Sequence, residues 1–147
     1  MNLRAVRNLA NALNGSTALG LMLGAVGRGR PRKVGHLIVF DGVRLPWVTA
    51  SAMTVGSVVL IMGRSLEEIS ARVPTLLDHE DEHAWQYAYC FGLPFLPLYF
   101  AAMTWSMART KDRAAANFFE IQAGLETGGY LRAADQRRRR AERSAWR

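Results

Sequence analysis

Leu3, Val6, Leu9, Ala10 and Leu13 recur at helical spacing and predict a short amphipathic helix over residues 1–14. Asn14-Gly15 ends it, and the apolar run from Ser16 to Val26 predicts a second helix. Gly27 to Lys33 reads as a basic Gly/Pro loop. The period then changes. His36 to Phe40 is β-like, Asp41-Gly42 is a hairpin-turn signal, and Val43 to Thr49 reads as the returning strand, with Pro46 marking an edge or a bulge. Ala52 to Met62 is uncharged, rich in β-branched residues and predicts the strongest strand.

Helical signals return at Ser65-Leu66-Glu67-Glu68, a capping box with Ser at the cap and Glu three residues on. Pro74 suits the first turn of a helix that runs to about Cys90, where Gly92 and Pro94 stop it. Leu96 to Met107 predicts a very apolar helix, and Lys111 to Arg113 a polar break. A last helix from about Arg113 to Leu125 carries Phe118, Phe119 and Ile121 inward, and Gly128-Gly129 interrupts it. The expectation is a single α+β domain over residues 1–130. It has a short antiparallel hairpin or sheet at about 36–62, a helix at about 74–90 and two further helices. A basic tail occupies 131–147.

Composition narrows the classes. The chain has 147 residues, enough for one core, with a formal net charge of +7. Its cations cluster at Arg28, Arg30, Arg32 and Lys33 and again at Arg137 to Arg140, Arg143 and Arg147. Such clusters suit phosphate or anionic lipid, or form a solvated tail. No aromatic residues alternate with these arginines and no nucleic-acid motif is present, which argues against a specific nucleic-acid partner. Cys90 is the sole cysteine, excluding an internal disulfide and a thiolate metal site.

Residues 84–108 lack Asp, Glu, Lys and Arg and match a bilayer in length, but Gly92, Pro94 and Pro97 divide them. Arg4 and Arg7 before Ala18 to Val26 faintly resemble a secretory leader, without a small-x-small cleavage site. The expected location is the cytoplasm, including the inner face of the membrane.

Chemistry concentrates in His79-Glu80-Asp81-Glu82-His83-Ala84-Trp85-Gln86, which holds two of the three histidines. On a helix His79 and His83 share one face, a turn apart, so both imidazoles can bind one ion. Glu80 is offset by about 100° and suits a general base beside that ion. Gln86 falls one turn further along the histidine face. A catalytic zinc takes three protein ligands and leaves one position open. Glu120, a carboxylate in the apolar segment Asn117 to Ala123, is the best third candidate, because burying it unpaired would be costly. His36 belongs with the strand. A di-iron centre would need a second Glu-x-x-His, and no histidine follows His83. The acidic Asp81 and Glu82 imply a helix more exposed, or a site more negative, than the usual metalloprotease motif.

These segments resemble a family of small, uncharacterised bacterial proteins related to minimal gluzincin-type, zincin-like metallopeptidases. The shared outline is a strand like Ala52 to Leu60, then His-Glu-x-x-His-x-x-Gln at His79 to Gln86. Gly-x-x-Phe-x-x-x-Tyr at Gly92 to Tyr99 and Asn-x-Phe-Glu-x-x-Ala at Asn117 to Ala123 complete it. The resemblance spans roughly residues 11–130. It implies His79, His83 and Glu120 as metal ligands and Glu80 as catalytic acid/base. Gln86, Tyr99 and Asn117 would orient the ligands or hold the structure. Asp81, Glu82 and Ser57 depart from the family pattern.

Two hypotheses follow from the sequence. The first is a peptidase that binds one zinc ion and hydrolyses peptide bonds with Glu80 as general base. The second is a non-catalytic accessory or scaffold protein that keeps its metal for stability. It would meet a partner or a membrane through Phe91 to Met107 and the basic clusters.

Overall fold

The computed structural model describes residues 2–131; the arginine-rich tail lies outside the described residues. The elements, in chain order, are α1 (Leu3–Leu13), α2 (Ser16–Val26), β1 (Arg30–Val34), β2 (Leu37–Val43), β3 (Ala52–Val55), β4 (Val58–Met62), α3 (Leu66–Ser70), α4 (Leu76–Tyr89), α5 (Phe95–Thr110) and α6 (Phe118–Ala123). The fold is α+β around one four-stranded mixed sheet in the order β1-β2-β4-β3. β1/β2 and β3/β4 are antiparallel, and β2/β4 is parallel.

The sheet differs from the expected antiparallel hairpin in its wiring. Arg30 to Lys33, expected within the Gly27–Lys33 loop, belong to an edge strand, Arg30–Val34, whose mostly outward residues tolerate charge. The turn joining it to β2 falls at Gly35-His36, with Gly35 at φ +58°. Asp41-Gly42 makes no hairpin. Both residues lie within β2, where Gly42 takes φ +70° and the pairing with β4 slips between Phe40 and Val43. Asp41 instead accepts the Leu66 N–H at 2.7 Å and pairs with Arg32 at 2.8 Å, tying β2 to the start of α3 and to β1. Residues 44–49, expected as a partner strand, form no strand. The single strand expected at 52–62 is two, folded at Gly56 (φ +64°), which packs against the backbone of Ser16 and Thr17.

β4 occupies the centre because its residues serve both faces: Val58, Val59, Leu60 and Ile61 are all fully buried. Val59 and Ile61 join Leu37, Val39, Leu66, Ile69, Leu76 and Ala84. Val58 and Leu60 join Phe40, Val43, Val55, Tyr87 and Phe95, with Leu19 and Leu23 of α2 beside them. α2 approaches the strands through glycine: a Cβ on Gly24 would lie 2.6 Å from the Phe40 ring, and one on Gly20 2.5 Å from the Val55 carbonyl. The helix boundaries follow their local signals, but the face of α6 does not: Phe118 and Ile121, expected inward, are exposed, and the buried side of α6 is Glu120 and Ala123, with Phe119 half-buried. The Ser65–Glu68 capping box forms in both directions, α4 ends before Gly92, and α6 is shorter than expected, capped at its start by Asn117. Among the described residues no single helix is long and apolar enough to cross a membrane.

α1 is amphipathic as expected, but its polar face is the one turned inward. Arg7 and Asn11 are buried, while Leu3, Val6, Leu9 and Leu13 are exposed. Arg7 pairs with Asp81 of α4 at 2.5 Å and lies over Trp85 at 5.3 Å. Asn11 donates to the Ala84 carbonyl at 2.8 Å and to Ser57 Oγ at 3.2 Å. α4 is thus covered, not exposed, and Asp81 is neutralised by α1. Arg7→Ala removes the buried partner of Asp81 and leaves it only the exposed Arg4, 3.3 Å away, and is expected to cost about 1.5–3 kcal/mol in urea unfolding. Arg7→Leu combined with Asp81→Leu should recover most of that loss.

Candidate metal centre

α4 presents His79, Glu80, His83 and Gln86 inward, and all four are buried. α6 brings Glu120 against them from the other side; it is 1% exposed. His79 Nε2 and His83 Nε2 are 3.1 Å apart, and Glu120 Oε2 lies 3.1 Å from the first and 3.6 Å from the second. A small divalent ion held tetrahedrally at about 2.0–2.1 Å separates its ligand atoms by about 3.3–3.4 Å. The three atoms match that spacing. Among the described residues, His79, His83 and Glu120 form the group placed to hold a metal ion.

The hydrogen bonds around the triangle fix which atoms face its centre. His79 Nδ1 is 3.1 Å from the Gly124 carbonyl, which can only accept, so Nδ1 carries hydrogen. Gln86 donates its amide hydrogens to the Phe119 carbonyl at 2.8 Å and to Gln122 Oε1, which turns its own oxygen toward His83. His83 Nδ1, 2.8 Å from that oxygen, is therefore also a donor. Both Nε2 atoms are thereby turned toward Glu120 Oε2. Tyr99 donates to Glu120 Oε1, leaving Oε2 buried without a hydrogen-bond donor of its own. Three potential ligand atoms thus converge in a dry space, an arrangement that a bound cation or a shared proton satisfies.

A proton can stand in. Burial alone would lower the His83 pKa, but Glu120 and the nearby Glu80 charge outweigh it and push it up to about 9. Burial likewise favours protonated Glu120, yet hydrogen bonds from His79, His83 and Tyr99 hold its carboxyl well below the ordinary range.

Glu80 is not part of the triangle. Its Oε2 accepts the Thr54 hydroxyl of β3 at 2.6 Å. Two cavities flank the site, of about 790 and 370 Å³, and Glu80, Ala52, Arg113 and Tyr130 line both. The larger also reaches His79, and the smaller reaches His83 and Glu120. β3 is an edge strand of the sheet, so its residues are the wall of this cleft.

The structure brings together six of the seven residues the sequence nominated, all but Asn117. His79, His83 and Glu120 converge, Glu80 stands beside them, and Gln86 and Tyr99 each hold one ligand. Asn117 acts at one remove: its side chain caps α6 by accepting the Phe119 N–H at 3.0 Å, fixing the helix that carries Glu120. Thr54 and Tyr130 were not nominated. The Tyr130 ring lies 5.7 Å from that of His79, and burial, with the Glu120 and Glu80 charges, keeps its hydroxyl protonated. The Gly128-Gly129 pair was the available signal, because a Cβ on Gly128 would lie 2.7 Å from His79 Cε1.

No protein-family model, curated protein or solved structure matches the chain.

His79→Ala or Glu120→Ala should reduce metal from near one equivalent to near none by elemental analysis. Gln86→Leu should weaken binding about 10–100-fold while the protein stays folded. Because a metal must displace the His83 proton, binding at neutral pH should release it. Metal affinity should then rise about tenfold per pH unit up to about 9 and fall as the solution is acidified, which titration calorimetry in buffers of different ionisation enthalpy will measure.

Proposed function

We propose that the protein is a zinc-dependent, zincin-like hydrolase that cleaves peptide bonds, as its resemblance to gluzincin-type peptidases implies. The observation that carries this reading is Glu80: a buried carboxylate beside the ligand triangle, not consumed by it, and oriented by Thr54 in a cleft. A metal kept only for stability has no need of such a group. Two histidines and one carboxylate form a ligand set that suits zinc and leaves a coordination position open. When bound, the ion would polarise the scissile carbonyl and acidify water.

The chain's own residues supply the rest. The Thr54 hydrogen bond occupies Glu80 Oε2 and leaves Oε1 to take the proton of the attacking water and pass it to the leaving amine. Tyr130 lines the same cleft with its hydroxyl protonated, a donor suited to the oxyanion that forms during attack. Tyr99 has a different task, since its proton is committed to Glu120. The free edge of β3 gives an extended peptide a backbone to pair with, which supports a peptide over a compact substrate.

Zinc-loaded wild type should cleave members of a mixed peptide library read by mass spectrometry. Glu80→Gln should keep the metal and lose about 10²–10⁴ in rate. Thr54→Val should lower kcat with little change in metal content. A zinc-loaded wild type that cleaves nothing, or a Glu80→Gln variant of unchanged rate, would overturn the peptidase reading and leave the accessory role with a structural metal.

A further inference from the structure

We propose that the corner between α1 and α2 is a docking surface for an anionic lipid bilayer, with both helices lying in the interface. Four observations converge on it. The first is the reversed amphipathicity of α1: its polar face is spent on α4, so Leu9 and Leu13 point outward at 60% and 79% exposure. α2 continues the surface. Its glycine face is committed to the sheet, and Met22 and Val26 are exposed on the side away from it. The α4–α5 turn extends it further. Asn14, at the corner, lies against Gly92, which brings the exposed Phe91 (84% exposed) and Leu93 to the α1–α2 corner. An apolar area of this kind on a folded protein marks an interaction site.

Charge selects the occupant. Residues 1–40 contain six Lys or Arg and no Asp or Glu; Arg4 and Arg7 pair with Asp81 and Arg32 with Asp41 and Glu67, so the cations offered to a surface are Arg28, Arg30 and Lys33. Residues 8–27, which form most of the apolar surface, carry no charge at all. Cations stand at the end of that stretch: Arg28 and Arg30 are exposed immediately past the end of α2, while Arg4 at the other end is engaged with Asp81. An apolar surface flanked by basic residues is the pattern of a helix lying at the headgroup boundary of an anionic leaflet. Insertion across the bilayer does not fit, since the helices have eleven residues each and meet at a bend of 75°. An acidic protein partner would meet the cations but leave Leu13 and Phe91 against water.

The test is flotation of the full chain with vesicles of phosphatidylcholine, with and without phosphatidylglycerol. Wild type should float with the phosphatidylglycerol vesicles, less so at high salt. Leu13→Asp combined with Phe91→Asp should reduce binding at least tenfold, with metal content and circular dichroism unchanged. Arg28→Gln combined with Arg30→Gln should reduce it roughly 20–30-fold on anionic vesicles. Equal flotation of wild type and the Leu13→Asp/Phe91→Asp variant would overturn the proposal and assign the attraction to the arginine-rich tail. Failure to float with either vesicle would overturn it, as would a wild-type dimer that Leu13→Asp makes monomeric, which would make a second copy the occupant. Since the vesicle readout uses neither metal nor hydrolysis, it stands apart from the peptidase reading.

Discussion

The burial of polar groups on α4 is the constraint around which the fold is arranged. One helix puts His79, Glu80, His83 and Gln86 out of reach of solvent, and each would be costly without a partner. The partners come from every side: Gly124 and Phe119 carbonyls and the Glu120 carboxylate from the α6 region, Thr54 from β3, and Tyr99 acting through Glu120 from α5. Asp81 and the Ala84 carbonyl are met by α1. The surrounding elements are thus positioned as much by hydrogen bonds to this helix as by apolar contact. The demand for a cation or a shared proton is what remains after those partners are assigned, because two imidazole nitrogens and a carboxylate oxygen converge on one point.

That residue of unsatisfied charge also separates the roles of the carboxylates. Glu120 has both oxygens committed, one to Tyr99 and one to the imidazoles, so it can hold an ion but not shuttle a proton. Glu80 has one oxygen committed to Thr54 and one left for chemistry. Two buried glutamates within one site therefore have different neighbours, and the proton-transfer role proposed for Glu80 rests on that difference.

What the sequence made legible follows from how local each determinant is. The Ser65 capping box, the Gly92 stop and the His79/His83 spacing are set by residues within one or two turns, and they appear where expected. Glu120 was legible because a carboxylate among Phe118, Phe119 and Ile121 needs an explanation. Strand wiring was not. Asp41-Gly42 has the composition of a hairpin turn, but Asp41 meets Leu66 and Arg32, contacts that no window around Asp41 contains. Arg30 to Lys33 looked like loop because their charges disguise a strand that needs only one hydrogen-bonded neighbour. Thr54 and Tyr130 were invisible for the same reason: 26 residues separate Thr54 from Glu80, and only the fold makes them adjacent.

The orientation of α1 connects two features that looked unrelated in the sequence. Asp81 and Glu82 are anomalous in a buried metal-binding helix, and Leu3, Val6, Leu9 and Leu13 look like an ordinary core stripe. Had α4 carried apolar residues in place of Asp81, the favourable packing would have turned that stripe inward. A half-buried Asp81 instead favours a cation, and the buried Arg7 sits on the opposite face of α1 from the leucines. Satisfying Asp81 therefore forces the apolar stripe outward. The acidic residue beside the metal motif and the apolar surface at the α1–α2 corner are two consequences of one ion pair, so the proposed lipid-facing surface is built into the way the site is held.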